Sequence, residues 1–202
     1  MQPLVYVVDS DMSATRSLCT VLTGRGYRTM SFCSAEDFLS RADLKAGPAC
    51  LVLELSLPEM DGLSLLRAIA DDVTSVILAA RADVADAVAA LSAGAVDVLI
   101  KPASDQQLLG AVGEALQRAA ERLSERRELA ALRRKMELLT AREREVMALI
   151  ADGLRNKIVA DRLGTVEATI KVHRARLMQK LELDSLPALV RAVDRLQMSC
   201  SA

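Results

Sequence analysis

The sequence predicts an α/β fold with a doubly wound five-stranded parallel sheet, followed by a long linker helix and an all-α domain with a helix-turn-helix. Four short apolar runs and a weaker strand pattern at 28–32 alternate with helical patterns, and the apolar runs are typical of strands buried on both faces of a sheet. A helical pattern then continues through 105–138, and the remainder is helical with Gly-containing turns. We expect domain boundaries at residues 1–122, 123–138 and 139–202.

The composition fits two folded domains of opposite charge. The 202 residues are 51% hydrophobic and 26% charged, which excludes a disordered chain, and they are 2% aromatic without Trp, which argues against base stacking as a binding mode. Residues 1–122 hold 10 Lys and Arg against 16 Asp and Glu, whereas residues 123–202 hold 16 against 11. An acidic half joined to a basic half suggests a regulatory domain joined to a phosphate-binding one.

The cysteines predict neither a structural zinc site nor a redox switch. Cys19, Cys33, Cys50 and Cys200 show no CxxC spacing, and the chain has one His. Cys19 falls among apolar helix positions, so we expect it in the core. The sequence shows no signal peptide and no apolar run of transmembrane length. We therefore expect a cytoplasmic protein with reduced thiols, no membrane partner and no cofactor.

The predicted strands end at one edge of the sheet, where polar residues collect. The strands are 4–8, 28–32, 50–55, 75–80 and 96–100, with helices near 13–23, 34–39, 63–70 and 84–92 between them. In this fold class the ligand site lies beyond the carboxyl ends of the strands. Asp9, Asp11, Glu54, Ala79 and Lys101 stand at those ends. An acidic cluster that faces one lysine is typical of a site rather than of a core.

The 105–138 pattern predicts one helix that packs on the sheet and projects as a linker. Leu109, Val112, Leu116, Ala119 and Leu123 recur at the 3-4 spacing of a coiled-coil seam, after which the phase slips. The outer part of this helix either pairs with a second copy or is a single helix solvated on one face.

The C-terminal pattern predicts a helix-turn-helix. Thr140 and Glu143 have the spacing of a capping box for a helix that runs to about 151. Asn156 is expected to cap a short second helix, and Gly164 allows a tight turn before a third helix over 166–181. Ser185 is expected to cap a last helix, which closes the bundle or offers a dimer face.

The third helix carries the candidate contacts to nucleic acid. Its apolar positions Ile170, Leu177 and Leu181 should face the core. Lys171, Val172 and Ala175 lie on another side, in the half that reaches base edges in such motifs. Arg174, Arg176 and Lys180 suit phosphate contacts, and Thr169, His173, Asn156 and Lys157 complete the candidate set. The alternative is an amphipathic helix with solvated charges, in which His173 is structural.

Both halves resemble the FixJ/NarL response regulators, which join a receiver domain to a LuxR-type helix-turn-helix. The receiver-like segments are VYVVDSD, LVLELSLPEMDG, SVILAA and LSAGAVDVLIKP, and the LuxR-like segments are LTAREREVMALIADGL, NKIVADRL, TIKVHRARLMQKL and SLPALVR. The resemblance implies binding to double-stranded promoter DNA, with Lys171, Val172 and Ala175 at base-contact positions. Val166 stands where the family usually places a capping serine, so either Thr165 takes over the cap or the helix begins more loosely.

The receiver-like half departs from the family at the residues that carry phosphorylation. Glu54 stands at the phosphoacceptor Asp, Ser10 at a metal-ligating acid, Ala79 at a Ser/Thr and Val98 at an aromatic switch, while Asp9 and Lys101 match. Glu54 would misplace the in-line attack, and Ser10 leaves a weak Mg²⁺ site at best. The resemblance with these departures implies a receiver that phosphoryl transfer does not switch. Glu54 either reaches Lys101 and imitates the phosphorylated state or fills a dead pocket, with regulation by a protein partner.

The expected function is a sequence-specific transcriptional regulator that acts independently of phosphorylation. We expect a homodimer, formed through the 105–138 helix or through the receiver, and a sensor protein or RNA polymerase as possible partners. The alternative is a receiver-like interaction platform that binds a sensor or sequesters a partner with little direct use of DNA. An enzyme has little support, because the degenerate pocket is the one acidic constellation in the sequence.

Overall fold

A computed structural model describes residues 2–44 and 47–198, so Cys200 lies outside the described residues. The chain divides into two compact units, Met1–Ser124 and Glu125–Ala202. The boundary falls inside one long helix, so residues 125–138 of the predicted linker belong to the second unit. Within the described ranges, none of the helices combines the length and the apolar character needed to cross a bilayer.

The first unit is built on a five-stranded parallel sheet, which confirms the predicted fold class. The strands are β1 (Leu4–Val8), β2 (Arg28–Phe32), β3 (Ala49–Leu53), β4 (Thr74–Ala79) and β5 (Ala95–Ile100), in the order β2-β1-β3-β4-β5. β3 begins and ends earlier than predicted, so that Glu54 is the first residue beyond the strand. β1, β3 and β4 are apolar on both faces because helices cover both sides of the sheet.

The helices of this unit are α1 (Met12–Gly24), α2 (Ala35–Arg41), α3 (Gly62–Ile69), α4 (Val84–Ser92) and α5 (Asp105–Glu137). Alternate residues of β1 point to opposite layers, as strand geometry requires. Tyr6 packs with Phe32 and Phe38 in one layer, and Val5 and Val7 lie in the other layer with residues of α1 and α5. The two layers together form the hydrophobic core of the unit.

Helix α5 packs on the sheet as predicted, but its buried stripe differs from the predicted seam. The fully or nearly buried residues are Leu108, Ala111, Val112, Ala115 and Leu116. The Thr74 hydroxyl lies 2.9 Å from the Ala115 carbonyl and 3.1 Å from the Ala49 carbonyl, which ties α5 to the sheet. Val112 and Leu116, which belong to the predicted seam, are therefore buried in the core of the first unit.

The second unit is a helical bundle of α6 (Ala141–Ala151), α7 (Asn156–Arg162), α8 (Glu167–Leu181) and α9 (Leu186–Met198), together with the end of α5. The predicted capping box is present, because the Glu143 amide donates to Thr140 Oγ1 at 3.2 Å and the Thr140 amide donates to Glu143 Oε2 at 2.8 Å. Ile170, Leu177 and Leu181 are buried as predicted. Gly164 takes the left-handed φ of 62° that the turn before α8 requires.

The predicted cap of α7 is wrong, and the start of α8 follows one of the two alternatives. Asn156 does not cap α7; it is the first residue of that helix, Arg155 holds the cap position, and within the described chain no side chain caps α7. Val166 holds the cap position of α8, and among the residues described no side-chain cap is formed there either, so Thr165 does not take over. The looser start is the correct alternative, because a valine side chain has no atom that can accept from the first turn.

Gly62 sets the position of the loop that carries Glu54. Its amide donates to the Leu55 carbonyl at 2.8 Å, and a Cβ at this position would lie 2.6 Å from the Glu54 carbonyl oxygen and 2.7 Å from Leu55 Cα. These are backbone atoms, which cannot move aside as a flexible side chain does. Only a glycine allows α3 to begin this close to the end of β3.

We predict that Gly62→Ala lowers the free energy of unfolding of the first unit by about 2 kcal/mol, as expected for overpacking against backbone. Gly110→Ala is the control: it lies in α5, no described atom lies within 4 Å of the added Cβ, and it should stabilise by about 0.5–1 kcal/mol. Urea titration followed by circular dichroism measures both. Equal effects at the two positions would contradict the steric argument.

Candidate functional site

One ammonium group balances two buried carboxylates at the carboxyl edge of the sheet. Lys101 Nζ, just after β5, donates to Asp9 Oδ2 at 2.5 Å and to Glu54 Oε2 at 2.7 Å. Asp9 is 4% exposed and Glu54 is 5% exposed. Burial disfavours the charged lysine, but the hydrogen bonds to Asp9 and Glu54 outweigh it and raise the pKa of Lys101 above its ordinary value. The predicted acidic cluster and the lysine are thus together at this edge of the sheet.

Backbone amides complete a cradle around the Glu54 carboxylate. The Ala80 amide donates to Oε2 at 2.9 Å, and the Ser56 amide donates to Oε1 at 3.2 Å. With Lys101, these donors engage both oxygens of the side chain. The cradle is a site for an anion, and the chain's own carboxylate fills it. The sequence carries no signal for the two amides, although Ala80 directly follows β4 and Ser56 is the third residue after β3.

The acids near the end of β1 are engaged within the fold. Asp11 is the N-cap of α1, and its Oδ1 accepts from the amides of Ala14 at 3.1 Å and Ser13 at 2.8 Å. These hydrogen bonds, from Ala14 first, hold the pKa of Asp11 below its ordinary value. Asp9 Oδ1 accepts from the Asp11 amide at 2.9 Å, and Ser10 is exposed.

This arrangement does not fit Mg²⁺, the ion that the resemblance to receiver domains implies. The ion needs several free oxygen ligands in octahedral geometry. Here the carboxylates of Asp9 and Glu54 are paired with Lys101, and that of Asp11 caps a helix. Across the described residues, no three His, Cys, Asp or Glu side chains are grouped so that they could hold a metal.

Ala79 and Val98 lie close to the cradle but supply no polar side chain to it. Ala79 is fully buried at the end of β4, and Val98 of β5 packs against the same core layer. Lys101 donates its own amide to the Ala79 carbonyl at 2.9 Å, which fixes the two strand ends together. The predicted degenerate pocket is therefore one compact set of residues with an aliphatic wall.

The predicted base-contact residues share one exposed face of α8. Lys171, Val172 and Ala175 are exposed, as is Arg176. Lys171 Nζ lies 3.1 Å from Glu167 Oε1, one turn earlier, in an exposed pair of the kind that contributes little to stability. Ala168 and Gln179 are also exposed and continue the stripe through 168, 172, 175 and 179 at helical spacing. Ala168 and Gln179 were not among the predicted contacts.

The remaining candidates divide by exposure. Lys157 on α7 is exposed, whereas Thr169, His173, Arg174 and Asn156 are half-buried. Lys180 is engaged within the fold: its Nζ donates to Glu143 Oε2 at 2.6 Å and to the Leu138 carbonyl at 3.2 Å. The Glu143 carboxylate is 3% exposed, so a phosphate contact by Lys180, which stays a prediction, would compete with this pair.

Glu143 joins the start of α6 to the end of α8. Its carboxylate accepts from Lys180 and from the Thr140 amide, and these hydrogen bonds, that of Lys180 first, lower the pKa of Glu143 below its ordinary value of 4.5. The ionised form therefore stabilises the unit. That contribution is complete above the ordinary value and is lost as the pH falls through the lowered pKa.

We predict that Glu143→Gln, which keeps the capping box but not the charge, lowers the stability of the second unit by about 1–3 kcal/mol at pH 7. Hydrogen exchange of peptides from α6 and α8, measured by mass spectrometry, follows this unit in the full chain. The difference from the parent should shrink at acid pH, as the pH falls through the lowered pKa of Glu143 and the parent takes up a proton there. A difference that is the same at both pH values would show that charge is not the cause.

Both halves of the chain match known families. Residues 5–113 match the response regulator receiver domain, and residues 137–193 match the bacterial regulatory proteins of the luxR family. The chain is 34% identical over 202 residues to the response regulator protein TmoT of Ectopseudomonas mendocina, covering 98% of this chain and 91% of that protein. It is 36% identical over 195 residues to the transcriptional regulatory protein FixJ of Rhizobium meliloti, covering 93% of each.

Solved structures agree with this assignment. The response regulator StyR is 37% identical with a TM-score of 0.82, and the match covers 96% of this chain and all of that one. Full-length FixJ from B. japonicum is 32% identical with a TM-score of 0.56, covering 96% of this chain and 97% of that one. This chain therefore belongs to the two-component response regulators in which a receiver domain precedes a luxR-type helix-turn-helix domain.

Proposed function

We propose that this protein is a transcriptional regulator that binds promoter DNA through α8 and whose receiver works without phosphoryl transfer. The independence from phosphoryl transfer rests on one observation: the oxygens of the Glu54 carboxylate already accept from Lys101 Nζ, the Ala80 amide and the Ser56 amide. The binding of promoter DNA is supported by the exposed stripe of α8, where a lysine, a valine and an alanine lie side by side on one face.

Three features argue against Glu54 as a phosphoryl acceptor. Its carboxylate is one methylene further from the backbone than that of aspartate, which displaces the nucleophile from the in-line position. The donors that would stabilise a phosphoryl group are already hydrogen-bonded to the carboxylate. The nearby acids are engaged elsewhere and do not provide a Mg²⁺ site.

Glu54 reaches Lys101, which is the contact that imitation of a phosphorylated state requires. Ala79 and Val98, however, have no group that can pass on a change at the pocket through a hydrogen bond or an aromatic rotation. We therefore favour a pocket that Glu54 holds in one state, with output controlled by a protein partner such as a sensor. The receiver then serves as an interaction domain, and α8 remains the output.

We also propose that the protein is a homodimer through its receiver. Val84, Val88 and Leu91 form one stripe of α4 at helical spacing and are 81%, 57% and 50% exposed. Exposed apolar side chains in a row mark interaction surfaces. The alternative seam on α5 has less support, because its Val112 and Leu116 are buried in the core of the same unit.

We predict that incubation with acetyl phosphate and Mg²⁺ gives no phosphoprotein on a phosphate-affinity gel, whereas a receiver with the acceptor aspartate is shifted in the same gel.

Glu54→Gln, which removes the charge that Lys101 pairs with, should leave promoter affinity and sedimentation unchanged within about twofold if Glu54 only fills the pocket. Val88→Glu supplies the reference for a monomer. A shifted band in the parent would overturn phosphorylation independence, and a large loss of dimer in Glu54→Gln would favour imitation of the phosphorylated state.

We predict that Lys171→Ala weakens binding to a promoter fragment by about 1–3 kcal/mol, because a base-edge contact is lost. Arg195→Ala removes the same charge from α9, where Arg195 pairs with Glu128 at 3.1 Å, and should change affinity little. Fluorescence anisotropy against promoter and random DNA, over a range of salt concentrations, measures both variants. Equal binding of promoter and random DNA by the parent would favour the alternative of an interaction platform.

A further inference from the structure

Two thiols that play no part in the Glu54 cradle line one cavity of about 320 Å³ between α1 and the end of β2. Cys19 of α1 and Cys33, the residue after β2, are both free thiols. Asp9 and Arg16 line the same cavity. The cavity therefore brings two nucleophilic sulfurs together with a guanidinium, beside an acid of the receiver pocket.

The strand register explains why both thiols face the same side of the sheet. Val7 pairs with Ser31 and Val8 pairs with Phe32, and Val7 lies in the layer that contains α1. Side chains alternate along a strand, so Cys33, two residues after Ser31, continues on the α1 side. Ser31 lines the cavity as well, which agrees with this placement.

Hydrogen bonds indicate how far Cys19 lies from Cys33 along the axis of α1. The Asp9 amide donates to the Phe32 carbonyl at 3.2 Å, and the Thr15 hydroxyl donates to the Asp9 carbonyl at 3.3 Å, so Thr15 and Cys33 lie near the same level. Cys19 is one turn further along α1, about 6 Å away along the axis. Helical side chains tilt toward the N-terminus, which directs the Cys19 sulfur back toward Cys33.

The thiols differ in access. Cys33 is exposed, Cys19 is half-buried, and Cys50 is fully buried in β3. Burial raises the pKa of the Cys50 thiol, which keeps it protonated and unreactive. Arg16 lines the same cavity as the two thiols. Because Cys33 is the exposed thiol, a peroxide reaches it first, and the half-buried Cys19 is placed for the second step.

We propose that Cys19 and Cys33 form a two-thiol redox site that a hydroperoxide converts to a disulfide. The Cys33 thiolate attacks the distal oxygen, the O–O bond breaks, and the alcohol or water leaves after taking a proton; Cys33 becomes a sulfenic acid. The Cys19 thiol then attacks the Cys33 sulfur and forms the S–S bond, and the hydroxyl leaves as water. Two thiols lose two electrons and two protons, and the peroxide gains them.

The bridge would act on the receiver directly. A disulfide needs a Cα separation of about 4.4–6.8 Å, and one turn of α1 separates the thiols along the axis. Closing the bridge therefore draws α1 toward the segment after β2. Asp11 caps α1, and Asp9 hydrogen-bonds both to Thr15 of α1 and to Phe32 of β2. Because Asp9 also pairs with Lys101, this movement changes the Lys101 ion pairs. The site gives the receiver a redox input that does not depend on phosphorylation.

Peptide mass spectrometry tests the proposal in the full chain carrying Cys200→Ser. The protein is treated with equimolar hydrogen peroxide, blocked with N-ethylmaleimide and cut with trypsin, which places Cys19 in fragment 17–25 and Cys33 in fragment 29–41. We expect these fragments to appear linked, two hydrogens lighter than their sum, and to separate on reduction. Cys50 in the native protein remains resistant to N-ethylmaleimide.

Serine variants separate the two roles. Cys19→Ser should leave Cys33 as a sulfenic acid that dimedone traps, and Cys33→Ser should leave Cys19 reduced under the same dose. Thermal melting confirms that each variant is folded. Linkage of Cys33 between two chains, or the same Cys33 products with and without Cys19, would overturn the proposal.

Discussion

The Lys101 ammonium is the group on which the carboxyl edge of the sheet depends. Two carboxylates, each about 95% buried, face it within 2.7 Å, and neither would tolerate this burial without a counter-charge. Asp9 follows β1, Glu54 follows β3 and Lys101 follows β5, so one cation joins the ends of three strands. The backbone amides of Ser56 and Ala80, which follow β3 and β4, also donate to the carboxylate of Glu54. The pocket is an ordered structural element, and its geometry matches an anion site that is already filled.

A second buried carboxylate paired with a lysine, Glu143 with Lys180, joins helices of the second unit. Glu143 is buried, accepts from the Thr140 amide and from Lys180, and so joins the N-terminus of α6 to the C-terminus of α8. Arg142 beside it donates to the Leu163 carbonyl at the turn before α8. α8 is therefore tied to α6 at its C-terminus and through the turn that precedes it, although no side chain described in the structure caps its first turn. These contacts hold the helix that carries the exposed stripe.

Much of the fold and part of the site followed from residue patterns. Apolar runs located the strands within one or two residues, because strands buried on both faces have a strong compositional signal. The Thr140 capping box was readable because its two residues lie three apart on one segment. Glu54, Asp9 and Lys101 were predicted together because parallel strands end at one edge. Contacts between distant partners could not be predicted in this way: Lys180 pairs with Glu143 across 37 positions, and the amides of Ser56 and Ala80 carry no signal in side-chain identity. The predicted Asn156 cap of α7 was wrong by one residue, because Asn156 is the first residue of that helix.

The sequence by itself determined the two-domain order, the five-stranded parallel sheet and the set of altered residues at the receiver pocket, because these depend on periodicity and on residue identity at strand ends. The tertiary structure decided what those residues do. It placed both Glu54 oxygens against donors from three separate segments, assigned Asp11 to a helix cap, paired Lys180 with Glu143 and brought Cys19 and Cys33 to one cavity. Each of these outcomes depends on contacts between segments that are far apart in sequence, and only the packing of helices on the sheet and on one another sets those distances.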